Sequence, residues 1–311
     1  MKSITVKEVL DYFGYRRVLG DDEALKRQIT ETDINRPGME LMGNFNGATN
    51  RVVVLGEKEI NFIRTLNDNE QRRVFDFLTR PEVPMILISR DLPCPGILFE
   101  IAYSKNFPVF SSYAPTSSLV VELISFLEEK LAERDSLHGV LMNIYGRGVL
   151  ITGESGIGKS EIAIDLIKRG HTLISDDRVD VYRAHNRLYG EAPELLKGFI
   201  ELRGVGIINV PRVFGVTSVD DSTRIECIFH LKKTDMEDSF DRLGMENSQT
   251  EVIQGVTIPK MVLPVSVGRS IASIIETAVA SVIQSQKGYN ATEDFNDRVL
   301  KYIQKQNEES K

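Results

Sequence analysis

At 311 residues, with a formal net charge of −7, 41% hydrophobic and 27% charged residues, the chain has an ordinary globular composition and length enough for two cores. The acidic balance counts against a nucleic-acid partner, which calls for a basic face, and no apolar run approaches the ~20 residues that span a bilayer. Cys94 and Cys227, without a C-x-x-C pair, and a charged N-terminus without a signal-peptide core fit a reducing, cytoplasmic setting and count against structural zinc.

In chain order, Thr5 is placed to cap a helix over residues 6–13. Residues 51–56 (RVVVLG) read as a buried strand, 57–66 and 73–80 as helical, and 84–89 (PMILIS) as a second apolar strand. A Pro-rich turn at 93–96 leads into a helix over 97–105 and a short strand at 108–110. This alternation predicts a small α/β domain with a partly parallel sheet. Val120, Leu123, Ile124, Leu127 and Leu131 then keep helical spacing, and the charged stretch 128–135 suggests a boundary near residue 130. The expected domains are therefore 1–130 and 131–311.

Residues 138–145 read as a strand beginning at His138, and 146–148 as a tight turn into the apolar run 149–152. Next come Gly153, Glu154, Ser155, Gly156, Ile157, Gly158, Lys159 and Ser160, which match G-x-x-x-x-G-K-[ST], the phosphate-binding P-loop. Its glycines let backbone N–H groups turn inward on phosphate oxygens, its lysine supplies a compact cation, and its serine hydroxyl suits Mg²⁺. Ile162, Ala163, Leu166 and Ile167 follow at helical spacing, and Gly170 is a C-cap. Strand, loop and helix stand in the order a nucleotide site requires.

The run 172–175 ends in Asp176 and Asp177, where a strand beside the P-loop strand would deliver a carboxylate. In an extended strand the two would point oppositely, one to metal or substrate and one into the fold; a solvated turn pair is the alternative. Residues 179–182 and 188–189 flank a hairpin turn, 199–215 mix β-branched residues with glycines, and 224–231 form another strand. Residues 234–249 read as a mobile polar loop, and helices over 269–284 and 292–306 close the chain.

Several residues admit two readings. His138 is either functional or a surface histidine, and Glu201 either a Mg²⁺ ligand or an ion-pair partner. Arg242 read alone is a solvated loop charge, and Arg269 would be a cation at the unfavourable end of a helix. Lys232-Lys233-Thr234-Asp235 lacks the Asn of the guanine-reading N-K-x-D motif, which favours adenine or a relaxed base choice.

Four stretches together, 153–160, 173–177 (LISDD), 201–209 (ELRGVGIIN) and 263–269 (LPVSVGR), resemble the bacterial HPr kinase/phosphorylase family. The resemblance implies phosphorylation of a regulatory serine of the phosphocarrier HPr with ATP or pyrophosphate, and dephosphorylation in which inorganic phosphate yields pyrophosphate, in the control of carbon catabolite repression. It implies a P-loop kinase core similar to phosphoenolpyruvate carboxykinase, a smaller N-terminal α/β domain similar to a Mur-ligase domain, and a homohexamer. It assigns phosphate binding to Gly153–Ser160, Mg²⁺ to Ser160 and Glu201, and catalysis to His138, Lys159, Asp177 and Arg242. It also links 201–209 to both reactions and 264–269 chiefly to phosphorolysis. A small-metabolite kinase and a nucleotide-dependent switch are the alternatives.

Overall fold

The computed structural model describes residues 2–45, 50–233, 249–265, 270–289 and 291–309, side chains of 291–293 and 304–309 aside. Arg242, Arg269 and nearly all of the expected loop at 234–249 lie outside the described residues. The chain divides into two compact units, Met1–Glu133 and Arg134–Lys311.

The first unit contains β1 (Ile4–Thr5), α1 (Val6–Phe13), β2 (Arg16–Leu19), β3 (Gln28–Ile29), β4 (Ile34–Asn35) and β5 (Val52–Leu55). It continues with α2 (Glu57–Ile63), α3 (Asp68–Leu78), β6 (Ile86–Ile88), α4 (Gly96–Ser104), β7 (Val109–Ser111) and α5 (Thr116–Leu131). The main sheet has the order β2-β7-β6-β5-β4, parallel from β4 to β7 with β2 antiparallel at the edge. β5 and β6 are buried at every position, because α2, α3 and α4 cover one face of the sheet and α1 and α5 the other. Two helices start on capping boxes. Thr5 Oγ accepts the Glu8 N–H while the Glu8 carboxylate accepts the Thr5 N–H, and Asn67 and Glu70 repeat the exchange. The second box starts α3 at Asp68, earlier than the apolar spacing from 73 suggests.

The second unit contains β8 (Arg134–His138), β9 (Val140–Ile144), β10 (Arg147–Gly153), α6 (Lys159–Lys168), β11 (Thr172–Ser175), β12 (Arg178–Ala184) and β13 (Arg187–Glu191). After these come β14 (Phe199–Leu202), β15 (Gly206–Asn209), α7 (Val210–Phe214), β16 (Ser222–Lys233), β17 (Gln249–Ile253), β18 (Val256–Val265), α8 (Ile271–Gln286) and α9 (Ala291–Glu309). A nine-stranded sheet runs β11-β9-β10-β16-β13-β12-β8, with β18 also on β16 and β17 on β18. The long strand β16 serves both halves: its first residues pair with β13, and its later ones lie between β10 and β18, parallel to both. Along β10, Val149 and Ile151 face the core beneath α6 and α8, while Leu150 faces the core on the other side with Val181 and Ile228. At the end of α6, Arg169 Nη1 and His171 Nε2 each reach Glu276 of α8 at 2.9 Å.

Two local readings of the sequence are corrected, those of His138 and of the strand beside β10, and two segments gain strands that the sequence reading did not assign. His138 ends β8 and does not begin the next strand. A Cβ at position 139 would stand 2.7 Å from the Ile151 carbonyl oxygen, so the chain passes this point as glycine and restarts as β9. Arg134 and Asp135, the last residues of the charged stretch 128–135, begin β8, which pairs with β12. β11 is not beside β10; the antiparallel β9 lies between them. Residues 249–265 are a β-hairpin whose turn, Gln254-Gly255, takes positive φ at both positions (47° and 74°).

Candidate active site

The 153–160 loop joins β10 to α6 by way of glycines that side chains would not tolerate. Gly153, Gly156 and Gly158 have φ of 147°, 79° and 100°, and a Cβ on Gly153 would meet the Leu231 carbonyl oxygen at 2.8 Å. Ile157 turns inward and is buried in the core under α6, anchoring the loop from below. Lys159 Nζ donates to the carbonyl oxygens of Gly153 and Glu154, both at 3.0 Å, so the ammonium is held within the loop itself.

Ser160, in the first turn of α6, donates its hydroxyl to Asp176 Oδ1 at 2.9 Å. The same carboxylate accepts the Glu201 backbone N–H through Oδ2 at 3.1 Å. Asp176 is 5% exposed, and burial pushes its carboxyl above the ordinary carboxylate range, against the pull of the bonds from Glu201 and Ser160. Asp176 thus fastens the start of α6 and the β14–β15 hairpin to the end of β11.

Asp177 does the opposite. The Arg178 N–H donates to the Asp176 carbonyl at 2.8 Å, closing a three-residue turn around Asp177, whose φ is 66°. Such γ-turns are uncommon and strained, and Asp is among the few non-glycine residues that accept positive φ. The alternation expected of an extended strand is replaced by this kink, with the result that Asp176 is buried and the Asp177 side chain is 78% exposed. The Asp177 carbonyl accepts the Gly139 N–H at 3.0 Å and lies 3.2 Å from His138 Nδ1. The His138 ring is 3.8 Å from Asp177 Oδ1, placed there by the Arg178–His138 pairing of β12 with β8.

These groups open on a cavity of about 230 Å³ lined by Ser155, Gly156, Gly158, Lys159, Ser160, Glu161, Asp176, Asp177, Glu201 and Arg203. Of the residues expected at the site, the cavity unites Ser155, Gly156, Gly158, Lys159, Ser160, Asp177 and Glu201. His138 stands behind Asp177, and Gly153, Glu154 and Ile157 shape the loop without lining the cavity. Arg242 lies outside the described residues. The sequence reading linked Arg203 to the reactions only as part of 201–209 and gave it no role of its own, although it is an arginine beside a glycine in a hairpin turn. Ser160, Asp176 and Glu201 all line the cavity, and a hydroxyl and carboxylates are hard oxygen donors of the kind Mg²⁺ takes.

Residues 129–299 match the family described as HPr Serine kinase C-terminal domain, and residues 4–127 that described as HPr Serine kinase N terminus. The chain belongs to the HPr serine kinase family. Among relatives in this family, the HPr kinase/phosphorylase of Lactobacillus gasseri is 42% identical, over 97% of this chain and 96% of its own length. That of Streptococcus thermophilus is 40% identical, over 99% of this chain and all of its own. The solved structure of the Hpr(Ser) kinase/phosphatase from Coxiella burnetii is 35% identical, covers 49% of this chain and 99% of that one, and superposes with a TM-score of 0.46.

Proposed function

We propose that this protein transfers the γ-phosphoryl group of ATP to a serine of HPr, and removes it by phosphorolysis with inorganic phosphate as acceptor and pyrophosphate as product. One observation carries the reading: a single cavity is lined by the lysine and serine of the 153–160 loop together with an exposed, kinked aspartate backed by a histidine. Family membership with full-length relatives favours it over a small-metabolite kinase or a nucleotide switch.

In the forward direction Asp177 accepts the proton of the serine hydroxyl, which is a weak nucleophile without a base in reach. In reverse, the protonated Asp177 returns it to the leaving serine oxygen. His138 holds the Asp177 peptide in its turn. Lys159, released from the loop carbonyls, turns to the phosphate oxygens, and stabilising charge there is most of what such a site contributes. Ser160 and Glu201, with Asp176 behind them, would hold Mg²⁺, which supplies charge neutralisation on the phosphates when bound. Arg242 is assigned a catalytic role by the family resemblance alone.

Asn also accepts positive φ, so Asp177→Asn removes the base with little disturbance of the turn. It is expected to lose roughly 10²–10⁴-fold in both directions while binding ATP normally. Retention of either activity at wild-type level in a ³²P-transfer assay removes Asp177 from its role.

The finer features of the reading rest on the resemblance: a carboxykinase-like core over residues 131–311, a Mur-ligase-like domain over 1–130, a homohexamer, a cytoplasmic location and a task in carbon catabolite repression. Light scattering of the purified protein checks the assembly state.

A further inference from the structure

We propose that Arg203 is the second phosphate-binding cation of this site and the ligand on which inorganic phosphate depends in the reverse reaction. The inference rests on the reading of the cavity as the phosphoryl-transfer site. Arg203 sits in the turn between β14 and β15, closed by the Val205 N–H donating to the Leu202 carbonyl at 3.1 Å, with Gly204 at φ 80°. The hairpin is fixed from below, since Ile200 is buried in the core and the Glu201 N–H is held by Asp176. From this turn the guanidinium lies against the crest of the phosphate loop. Its Nη2, Nη1 and Cζ lie 2.8, 2.9 and 3.1 Å from where a Cβ on Gly156 would stand.

Three features make this group an anion ligand. It lines the cavity, and among the described residues it makes no hydrogen bond or ion pair, although Glu201 is two positions away on the same hairpin. Among the described residues the other cation lining the cavity is Lys159, which is bonded to its own loop. Glu161, Asp176, Asp177 and Glu201 share the lining and repel an anion, so a phosphate held here calls on the guanidinium to offset them. A guanidinium offers a planar fork that matches two oxygens of a phosphate.

Phosphorolysis makes the heavier demand on it. An oxygen of inorganic phosphate attacks the phosphorus of phosphoserine, the P–Oγ bond breaks, and two dianions become pyrophosphate and the neutral alcohol. The proton passes from the phosphate to the serine oxygen by way of Asp177. ATP brings its phosphates already joined and anchored by a nucleoside, whereas inorganic phosphate has only the ligands of the site to hold it.

The test measures binding of inorganic phosphate by calorimetry and both reactions by ³²P transfer, in the full-length protein. Arg203→Gln is expected to weaken phosphate binding at least tenfold and to raise KM for phosphate more than KM for ATP, with an unchanged melting temperature. Arg203→Lys recovers only part of this, and added guanidinium ion restores phosphorolysis to Arg203→Ala, a rescue that a structural role would not give. Wild-type phosphate affinity in Arg203→Gln, with affinity lost in Lys159→Met, overturns the role of Arg203 alone. Wild-type affinity in both variants, or no phosphate binding by the native protein, overturns the reading of the cavity as well.

Discussion

Asp176 and Asp177 are neighbours with opposite tasks, and the backbone between them is what separates their chemistry. Asp176 is buried and anchored to Ser160 and Glu201; Asp177 is turned outward by a positive φ. The burial of Asp176 has a consequence for stability. Its native-state affinity for a proton is raised above that of an unfolded carboxylate, ordinarily near 3.9, so in the range above that value the native state holds more proton than the unfolded state. Unfolding free energy in the ligand-free protein should then fall as pH rises through the native pKa of Asp176. Urea unfolding from pH 4 to 7 should show wild type losing stability relative to Asp176→Asn across that window; a constant difference would refute the attribution.

At the scale of the element, the phosphate loop depends on how tightly β10 runs beside β16. Gly148 is the tightest point: a Cβ there would stand 2.0 Å from the Arg224 carbonyl oxygen and 2.7 Å from Thr223 Cγ2. That oxygen is backbone in the strand shared by both halves of the sheet, so relief requires β16 to move. Gly148→Ala should cost about 3 kcal/mol and lower the melting temperature by roughly 5–10 °C. Scanning calorimetry checks the value, and an unchanged melting temperature would show that the strands separate without strain. Much at this scale was legible in the sequence. The 153–160 loop, its apolar strand and its amphipathic helix are written in consecutive residues, and so are the Thr5 cap and the turn of the β12–β13 hairpin. The β17–β18 hairpin carried its own sign in Gln254-Gly255, but the polar residues before it and Pro259 and Pro264 within β18 masked a strand. Pro264 lies opposite Lys232, near the end of the β16 ladder.

Across the whole molecule, the apolar clusters keep to their own units. Those of the first unit use residues up to Leu131, and those of the second begin at Leu137. Each unit therefore has the means to fold by itself. A fragment of residues 1–133 should unfold cooperatively and give dispersed amide NMR signals. A molten fragment, compact but without fixed side-chain packing, would show that its core needs the second unit. Among the described residues no helix is long and apolar enough to cross a membrane.

The sequence by itself determined the glycine-bearing 153–160 loop, the two α/β regions and the family, because each is carried by residues close together in the chain or by motifs taken jointly. Loop curvature needs glycines at fixed spacing, and a helix start needs its cap within a turn. The tertiary structure decided the rest of the site. His138 meets Asp177 across 39 positions through the pairing of β8 with β12, β11 reaches the site with β9 interposed, and Arg203 reaches Gly156 because its hairpin is anchored on a buried aspartate. Strand pairing is a competition among all strands for burial and for backbone partners, and no local stretch records its outcome. Which carboxylate is buried and which is exposed follows from that outcome.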